Sequence, residues 1–424
     1  MHEQPIHIGV RDSFGAETPV SLCSTDRRSH TYIVGKTGTG KSSLLRNIVA
    51  QDLAAGRGVA LIDPHGDLAE SILDAIPRNR IGDVTYFNAG DTDFPIAWNI
   101  LSANGENRAL VASGVVAAFK AIWRDSWGPR LEYILYAAVA SLLECENVSL
   151  LGVSRILSDR KYRRSIVKRV TDPGLRLFWQ NEFEKYDERF LREAIAPIQN
   201  KVGQLLLAPH VRNIFGQVTS RINMRFIMDN KRILIANLAK GRIGEDKANL
   251  LGALLVSAFQ TAALGRAAVP ESNRTDFHLV IDEFQNFTTD TFTSILSEAR
   301  KYRLNLTVAH QYIEQMPEDV RAAVFGNIGT MIALRVGERD AALLAREYGS
   351  TLAAGQFTDL PNYHAIVRPV AQETQGEPFR TRLHAPGTQA PDARRRATIE
   401  RRSRERFATP VQQIQERLQR WLDV

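Results

Sequence analysis

A chain of 424 residues that is 44% apolar and 24% charged has the composition of an ordinary globular protein, long enough for two domains or one large domain carrying an insertion. Two cysteines, Cys23 and Cys145, with no C-x-x-C spacing, argue against a disulfide framework or a zinc site and for a reducing compartment. The net charge of +7 is a weak argument for a DNA-binding body, because nine arginines against five acids from Pro391 onward supply more than half of it.

The start, MHEQPIHIGVRD, has no basic region followed by an apolar stretch, so no signal peptide is expected there. The apolar run "TYIVG" (31–35) predicts a buried strand, and "KSSLLRNIVAQDLA" after it predicts a helix. Between them stands G-x-x-x-x-G-K-S, the phosphate-binding pattern. The stretch Gly35, Lys36, Thr37, Gly38, Thr39, Gly40, Lys41, Ser42 and Ser43 is the candidate nucleotide loop. Its glycines let backbone N–H groups approach phosphates, Lys41 neutralises the β and γ oxygens, and the Ser42 hydroxyl takes a Mg²⁺ position.

"VALID" (59–63) and "VTYFN" (84–88) predict two more strands. In "LIDPHGD" (61–67) the residues Asp63, His65 and Asp67 suggest a metal site, but a Pro64–Gly66 turn from strand to helix outweighs it.

From about 102 to 225 the apolar spacing is helical throughout and no strand stands out, which predicts an all-α insertion. Trp123, Trp127 and Trp179 fall there and are expected to pack rather than to stack on bases. The runs "LEYILYAAVASLL" (131–143) and "ANLLGALLVSAFQTAAL" (248–264) are expected to be buried helices, not membrane spans.

"RILIANL" (232–238), "FHLVIDE" (277–283), "LNLTVAH" (304–310), "TMIALRV" (330–336) and "HAIVRPV" (364–370) complete a set of buried, parallel strands alternating with helices. Asp282 and Glu283 end one of them. Asp282 is positioned to hold Mg²⁺ and Glu283 to act as general base on water. Gln311, at another strand tip, is placed to sense the γ-phosphate or orient water. Arg300 and Arg303 end the preceding helix, where they either complement its dipole or reach a neighbouring subunit's triphosphate. Beyond residue 385 the chain is rich in Pro and Arg and is expected to be mobile. "PVQQIQERLQRWL" closes it as a short amphipathic helix.

The segments "YIVGKTGTGKSSLL", "GVALIDPHGDLAE", "GRIGEDKANLLGALLVSAFQ", "VIDEFQNF" and "SEARKYRLNLTVAHQY" resemble the FtsK–HerA superfamily of pumping ATPases. Within it the closest resemblance is to the type IV secretion coupling ATPases of conjugative DNA transfer. The resemblance covers about residues 30–370. It implies an α/β, RecA-like P-loop motor with a mostly parallel sheet and an inserted all-α domain, using ATP and Mg²⁺. On that reading residues 1–101 and 226–384 form the motor, 102–225 the insertion, and 385–424 a basic tail. Lys41 and Ser42 match the phosphate loop, Asp282 and Glu283 the acidic pair, Arg300 an arginine acting in trans, and Gln311 the sensor.

What the resemblance implies about function is a ring, a hexamer, that hydrolyses ATP and moves DNA, single- or double-stranded. Relaxase or secretion components are the expected partners, or a nuclease if the motor serves repair or phage defence. A protein-translocating or assembly ATPase is the alternative from another class. The 34 residues before Gly35 leave no room for the membrane helices of coupling ATPases or the β-barrel of HerA helicases. The expectation is a cytoplasmic motor with no membrane span of its own, or one peripheral at the inner membrane through a partner.

Overall fold

The computed structural model describes all residues except 1–3, 14, 104, 350–351, 372–373, 386–390 and 423–424. Its strands in chain order are β1 (Ile6–Ser13), β2 (Ala16–Leu22), β3 (Thr31–Val34), β4 (Gly58–Asp63), β5 (Val84–Asn88), β6 (Ile233–Asn237), β7 (Phe277–Ile281), β8 (Leu304–His310), β9 (Thr330–Ala333), β10 (His364–Arg368), β11 (Val370–Ala371), β12 (Thr374–Gln375) and β13 (Phe379–Leu383). Eleven of them form one sheet in the order β2-β1-β13-β10-β9-β3-β8-β7-β4-β6-β5.

The centre of the sheet is parallel. The strands β9, β3, β8, β7, β4 and β6 pair that way throughout, and their side chains are buried on both faces, as continuous apolar runs require. Register then decides which residues meet beyond the strand ends. Val34 lies opposite His310, and Ile281 lies opposite both Val308 and Ile62. Gly35, Gln311 and Asp282 therefore emerge along one edge of the sheet. This is the mostly parallel α/β architecture expected from the sequence.

Two expectations change. The run 364–370 forms a strand only to Arg368, and it is antiparallel to β9 rather than parallel. The sheet then continues antiparallel through β13, β1 and β2, which the apolar runs did not reveal. These strands are only partly buried: in β13 Thr381 and Leu383 are buried while Arg380 and Arg382 are exposed, and the first four residues of β2 are exposed. The edge strand β2 carries Pro19, which cannot donate to a ladder and suits an edge.

The chain forms two compact units. One comprises Met1–Tyr86, Arg225–Asn237 and Arg266–Glu400, the other Phe87–Met224, Leu238–Gly265 and Arg401–Val424. In the first, Leu44, Leu45, Ile48, Val49 and Leu53 of the Lys41–Ala54 helix are buried with Ile33, Leu61 and Ile332 of the sheet. At about 1.5–3 kcal/mol for each large apolar side chain, this packing fixes the helix against the sheet. Its far end is pinned by Asp52, fully buried, which accepts two hydrogen bonds from Arg27 (2.7 and 2.8 Å) and one from Arg57 (3.0 Å).

The second unit is helical. Trp179 is buried and its Nε1 donates to Ser141 Oγ at 2.8 Å; Trp123 stacks on Phe119. Trp179 thus belongs to the core, while Trp123 and Trp127 are half-buried, with Trp127 Nε1 donating to Glu132 at 2.8 Å. Among the described residues one helix, Glu245–Ala268, is long and apolar enough to cross a membrane, and 72% of its most apolar window is buried inside the fold. The tail departs from expectation. Residues 386–390 lie outside the described residues, but Ala393–Phe407 is a helix rather than a mobile arm. Several of its arginines are committed: Arg395 donates to the Asp74 backbone carbonyl at 2.6 Å, Arg396 pairs with the Asp74 carboxylate, and Arg404 donates to Asp91 at 2.7 Å. Ile399 on the same helix is buried. The amphipathic helix expected at the end is present as Val411–Leu422.

Candidate functional site

The glycine-rich loop leaves β3 and ends where the Lys41–Ala54 helix begins. Gly38 and Gly40 both adopt left-handed backbone, with φ of 78° and 113°, which a side chain would resist. The loop is anchored by its own backbone. The N–H of Gly35 donates to the His310 carbonyl (3.3 Å), that of Lys36 to the Arg335 carbonyl (2.9 Å), and the carbonyl of Thr39 accepts from the Tyr363 N–H (2.8 Å). The helix N-terminus carries no acidic residue in its first turn and no side-chain cap. Its unmatched N–H groups and positive dipole end therefore face an anion site built by the loop.

Across the sheet edge, Asp282 follows β7, with its N–H on the Ile62 carbonyl at 3.1 Å. Glu283 is held in left-handed conformation, φ 48°, and its N–H donates to Asp282 Oδ1 at 3.0 Å. Lys41 lies between the two acids. Its Nζ pairs with Glu283 Oε1 and stands 3.8 Å from Asp282 Oδ1. All three side chains are nearly buried, and the lysine and glutamate are 242 positions apart in the chain.

Glu283 is gripped further by two amides. Gln311 Nε2 donates to Oε1 at 2.8 Å and Gln285 Nε2 to Oε2 at 2.9 Å, while Thr37 Oγ1 donates to Gln311 Oε1 at 2.9 Å. These hydrogen bonds tie the loop, Gln311 and Glu283 into one network. The sequence alone gives Gln285 no motif, and its place two residues after the acidic pair is the only signal it carries.

The acids of the pair are driven apart electrostatically. Burial pushes Asp282 up to about 7, with the Glu283 and Asp63 charges adding to it against the pull of Lys41. Burial also pushes Glu283 upward, but the Lys41 charge and the hydrogen bonds from Lys41, Gln285 and Gln311 outweigh it and hold Glu283 below the usual range. His310 behind them is lowered to about 3 by burial and by Lys41, so it is neutral.

A raised folded-state pKa at Asp282 means that the folded chain keeps a proton which the unfolded chain loses between about pH 4 and 7. Its contribution to stability is therefore full below pH 4 and lost as pH rises through about 7. Denaturant titrations of the wild type and Asp282→Asn at pH 5 and 8 should show the variant gaining relative to wild type at the higher pH. An equal difference at both pH values would contradict the assignment.

The other candidates lie as follows. Ser42 is exposed and Ser43 half-buried, both in the first helical turn. Asp63 accepts from the N–H groups of His65 (2.8 Å) and Ala69 (2.9 Å), the turn-and-helix-start arrangement. Among the described residues no cluster of His, Cys, Asp and Glu has metal-binding form. Arg300 is not at this edge. It precedes β8, whose seven residues separate it from Gln311 by more than about 20 Å. It is exposed, beside Arg28, Ser29 and Lys301. Arg303 ends the same turn in left-handed conformation and pairs with Glu271 at 3.2 Å.

Residues 6–88 match the family model described as the central domain of helicase HerA, and residues 276–352 match the model of the TraM recognition site of TraD and TraG. No curated protein matches the sequence. Among solved structures, the plasmid coupling protein TrwB in complex with the ATP analogue ADPNP is 16% identical, with 92% of this chain and 97% of that chain covered and a TM-score of 0.63. TrwB in complex with ADP and Mg²⁺ is 16% identical, with 93% and 97% covered and a TM-score of 0.62. VirB4 of Thermoanaerobacter pseudethanolicus is 14% identical, with 89% and 96% covered and a TM-score of 0.52. The resemblance to FtsK–HerA ATPases, and among them to coupling ATPases, is borne out by these likenesses, and the fold is that of their RecA-like motor.

Proposed function

We propose that this chain is a ring-forming ATPase that drives DNA, as its resemblance to the conjugative coupling ATPases implies. The observation that carries the reading is the convergence of Lys41, Asp282 and Glu283 at the end of the glycine-rich loop, with Lys41 Nζ 3.8 Å from Asp282 Oδ1 and paired to Glu283.

The residues present fit Mg-ATP. The left-handed glycines shape a backbone cradle, and the acid-free helix end attracts phosphate. The Ser42 hydroxyl and the Asp282 carboxylate are the two groups suited to hold Mg²⁺, which when bound supplies charge neutralisation to the phosphate oxygens. Lys41 then exchanges its carboxylate partners for β and γ oxygens. Freed of the lysine, Glu283 takes a proton from the attacking water, and Gln311 and Gln285, already hydrogen-bonded to its two oxygens, orient that water. Arg300, remote from its own loop, acts on the triphosphate of a neighbouring copy. The partners are DNA, other copies in a hexamer, and relaxase or secretion components. The proposed location is the cytoplasm.

The test of cargo is the ATPase rate with and without single- and double-stranded DNA over a salt series. Stimulation that weakens steadily as salt rises is expected, because phosphate contacts release counterions. No stimulation by either form at any salt would remove DNA from the account and leave protein as cargo.

A further inference from the structure

The parallel centre of the sheet gives the site a direction. Glu283 and Gln311 follow β7 and β8, both on one side of β3, which carries the phosphate loop. A triphosphate whose terminal phosphate lies against those two residues must extend its other end away from them, across the first helical turn toward β9 and β10. Because β10 is antiparallel, it is the segment before its start, residues 361–363, that reaches this edge.

That segment presents Tyr363. A Cβ built on Gly40 would lie 2.9 Å from Tyr363 Cδ1, so the ring edge rests directly on the loop glycine. The backbone of Tyr363 is fixed from both sides: its N–H donates to the Thr39 carbonyl and its carbonyl accepts from the Leu383 N–H, each at 2.8 Å. It holds φ at 59°, a strained value for a bulky residue. Its neighbour Asn362 accepts from Arg335 Nη2 at 2.8 Å, which joins this segment to the one after β9. Despite that anchoring, Tyr363 is 40% exposed. A ring whose backbone is locked while much of the residue stays solvent-accessible is preorganised for stacking.

We propose that Tyr363 is the platform on which the nucleobase of the bound nucleoside triphosphate stacks, its ring lying on Gly40 at the end of the loop opposite Glu283 and Gln311. This rests on the nucleotide-binding reading above and assigns the part of the ligand that the phosphate loop does not contact. Every base has a π face, so the platform contributes affinity without distinguishing adenine from guanine.

The test measures affinity of the full chain, in Mg²⁺, for non-hydrolysable ATP and GTP analogues and for inorganic tripolyphosphate, in wild type, Tyr363→Ala and Tyr363→Phe. Tyr363→Ala should weaken both nucleotides by about ten-fold and change tripolyphosphate by less than about two-fold, while Tyr363→Phe keeps wild-type affinity. Tyr363→Gly, which accepts the left-handed backbone, serves if the alanine variant melts early, with the same expected pattern. Equal weakening of tripolyphosphate would mean that the ring only shapes the loop, and unchanged nucleotide affinity would mean that it touches no base; either overturns the proposal. Wild-type chain that binds tripolyphosphate and nucleotides equally well also overturns it. Wild-type chain that binds none of the three sinks the nucleotide-binding reading itself.

Discussion

Lys41→Ala is expected to bring ATP turnover to background, a loss of about a thousand-fold or more, because a point charge on the β and γ oxygens has no substitute in the loop. The same change should lower the melting temperature. Lys41 is 6% exposed and sits between two nearly buried acids. Its removal leaves those carboxylates facing each other, and breaking a buried pair of this kind costs about 3–5 kcal/mol. Part of that cost is avoided here, since Asp282 is already pushed up to about 7 and readily takes a proton. The two effects separate in a second variant: Lys41→Met combined with Glu283→Gln removes both charges, so stability should recover while turnover stays at background. Steady-state hydrolysis by Lys41→Ala at the wild-type rate would refute the assignment of the loop.

Arg300→Ala should cut turnover by about 10³–10⁵-fold while an ATP analogue still binds, since a guanidinium supplied from another subunit stabilises charge that develops only during transfer. Geometry makes action within one chain untenable, because Arg300 stands at the opposite end of β8 from Gln311. Glu283→Gln should also bind the analogue and hydrolyse slowly. The two variants are defective at different parts of the site, so mixing them should restore measurable turnover in rings where an intact Arg300 faces an intact Glu283. If the arginine merely complements its helix dipole, Arg300→Ala would cost a few tenths of a kcal/mol and no rate. A monomeric Arg300→Ala chain with full activity would rule the trans role out.

Physical reasons decide which of these features the sequence discloses. Continuous apolar runs such as FHLVI and LNLTVAH are unmistakable because both faces are buried. The phosphate pattern adds glycines at fixed offsets, and the Asp282–Glu283 pair follows a strand directly. β1, β2 and β13 are partly exposed and interrupted by polar or charged residues, Arg11 and Asp12 in β1, Glu17 in β2, Arg380 and Arg382 in β13, so no continuous apolar run marks them. The Arg-rich helix Ala393–Phe407 has the composition of a solvated arm, and its order comes from distant acids, Asp74 and Asp91, which no local pattern discloses. Tyr363 belongs to no motif, and a positive φ in a tyrosine has no sequence signature.

One seam that anchors the loop is made of main chain alone. The Thr39 carbonyl meets the Tyr363 amide, the Tyr363 carbonyl meets the Leu383 amide, and the amide of His384 meets the Ile8 carbonyl. Four stretches distant in sequence are thereby stitched together without reference to what their side chains are. Side-chain changes at Thr39, Leu383, His384 and Ile8 leave these main-chain hydrogen bonds available, whereas a side chain at Gly40, where a Cβ would meet the Tyr363 ring, an inserted proline, which lacks the amide, or a deletion that slips the register would unpick the seam.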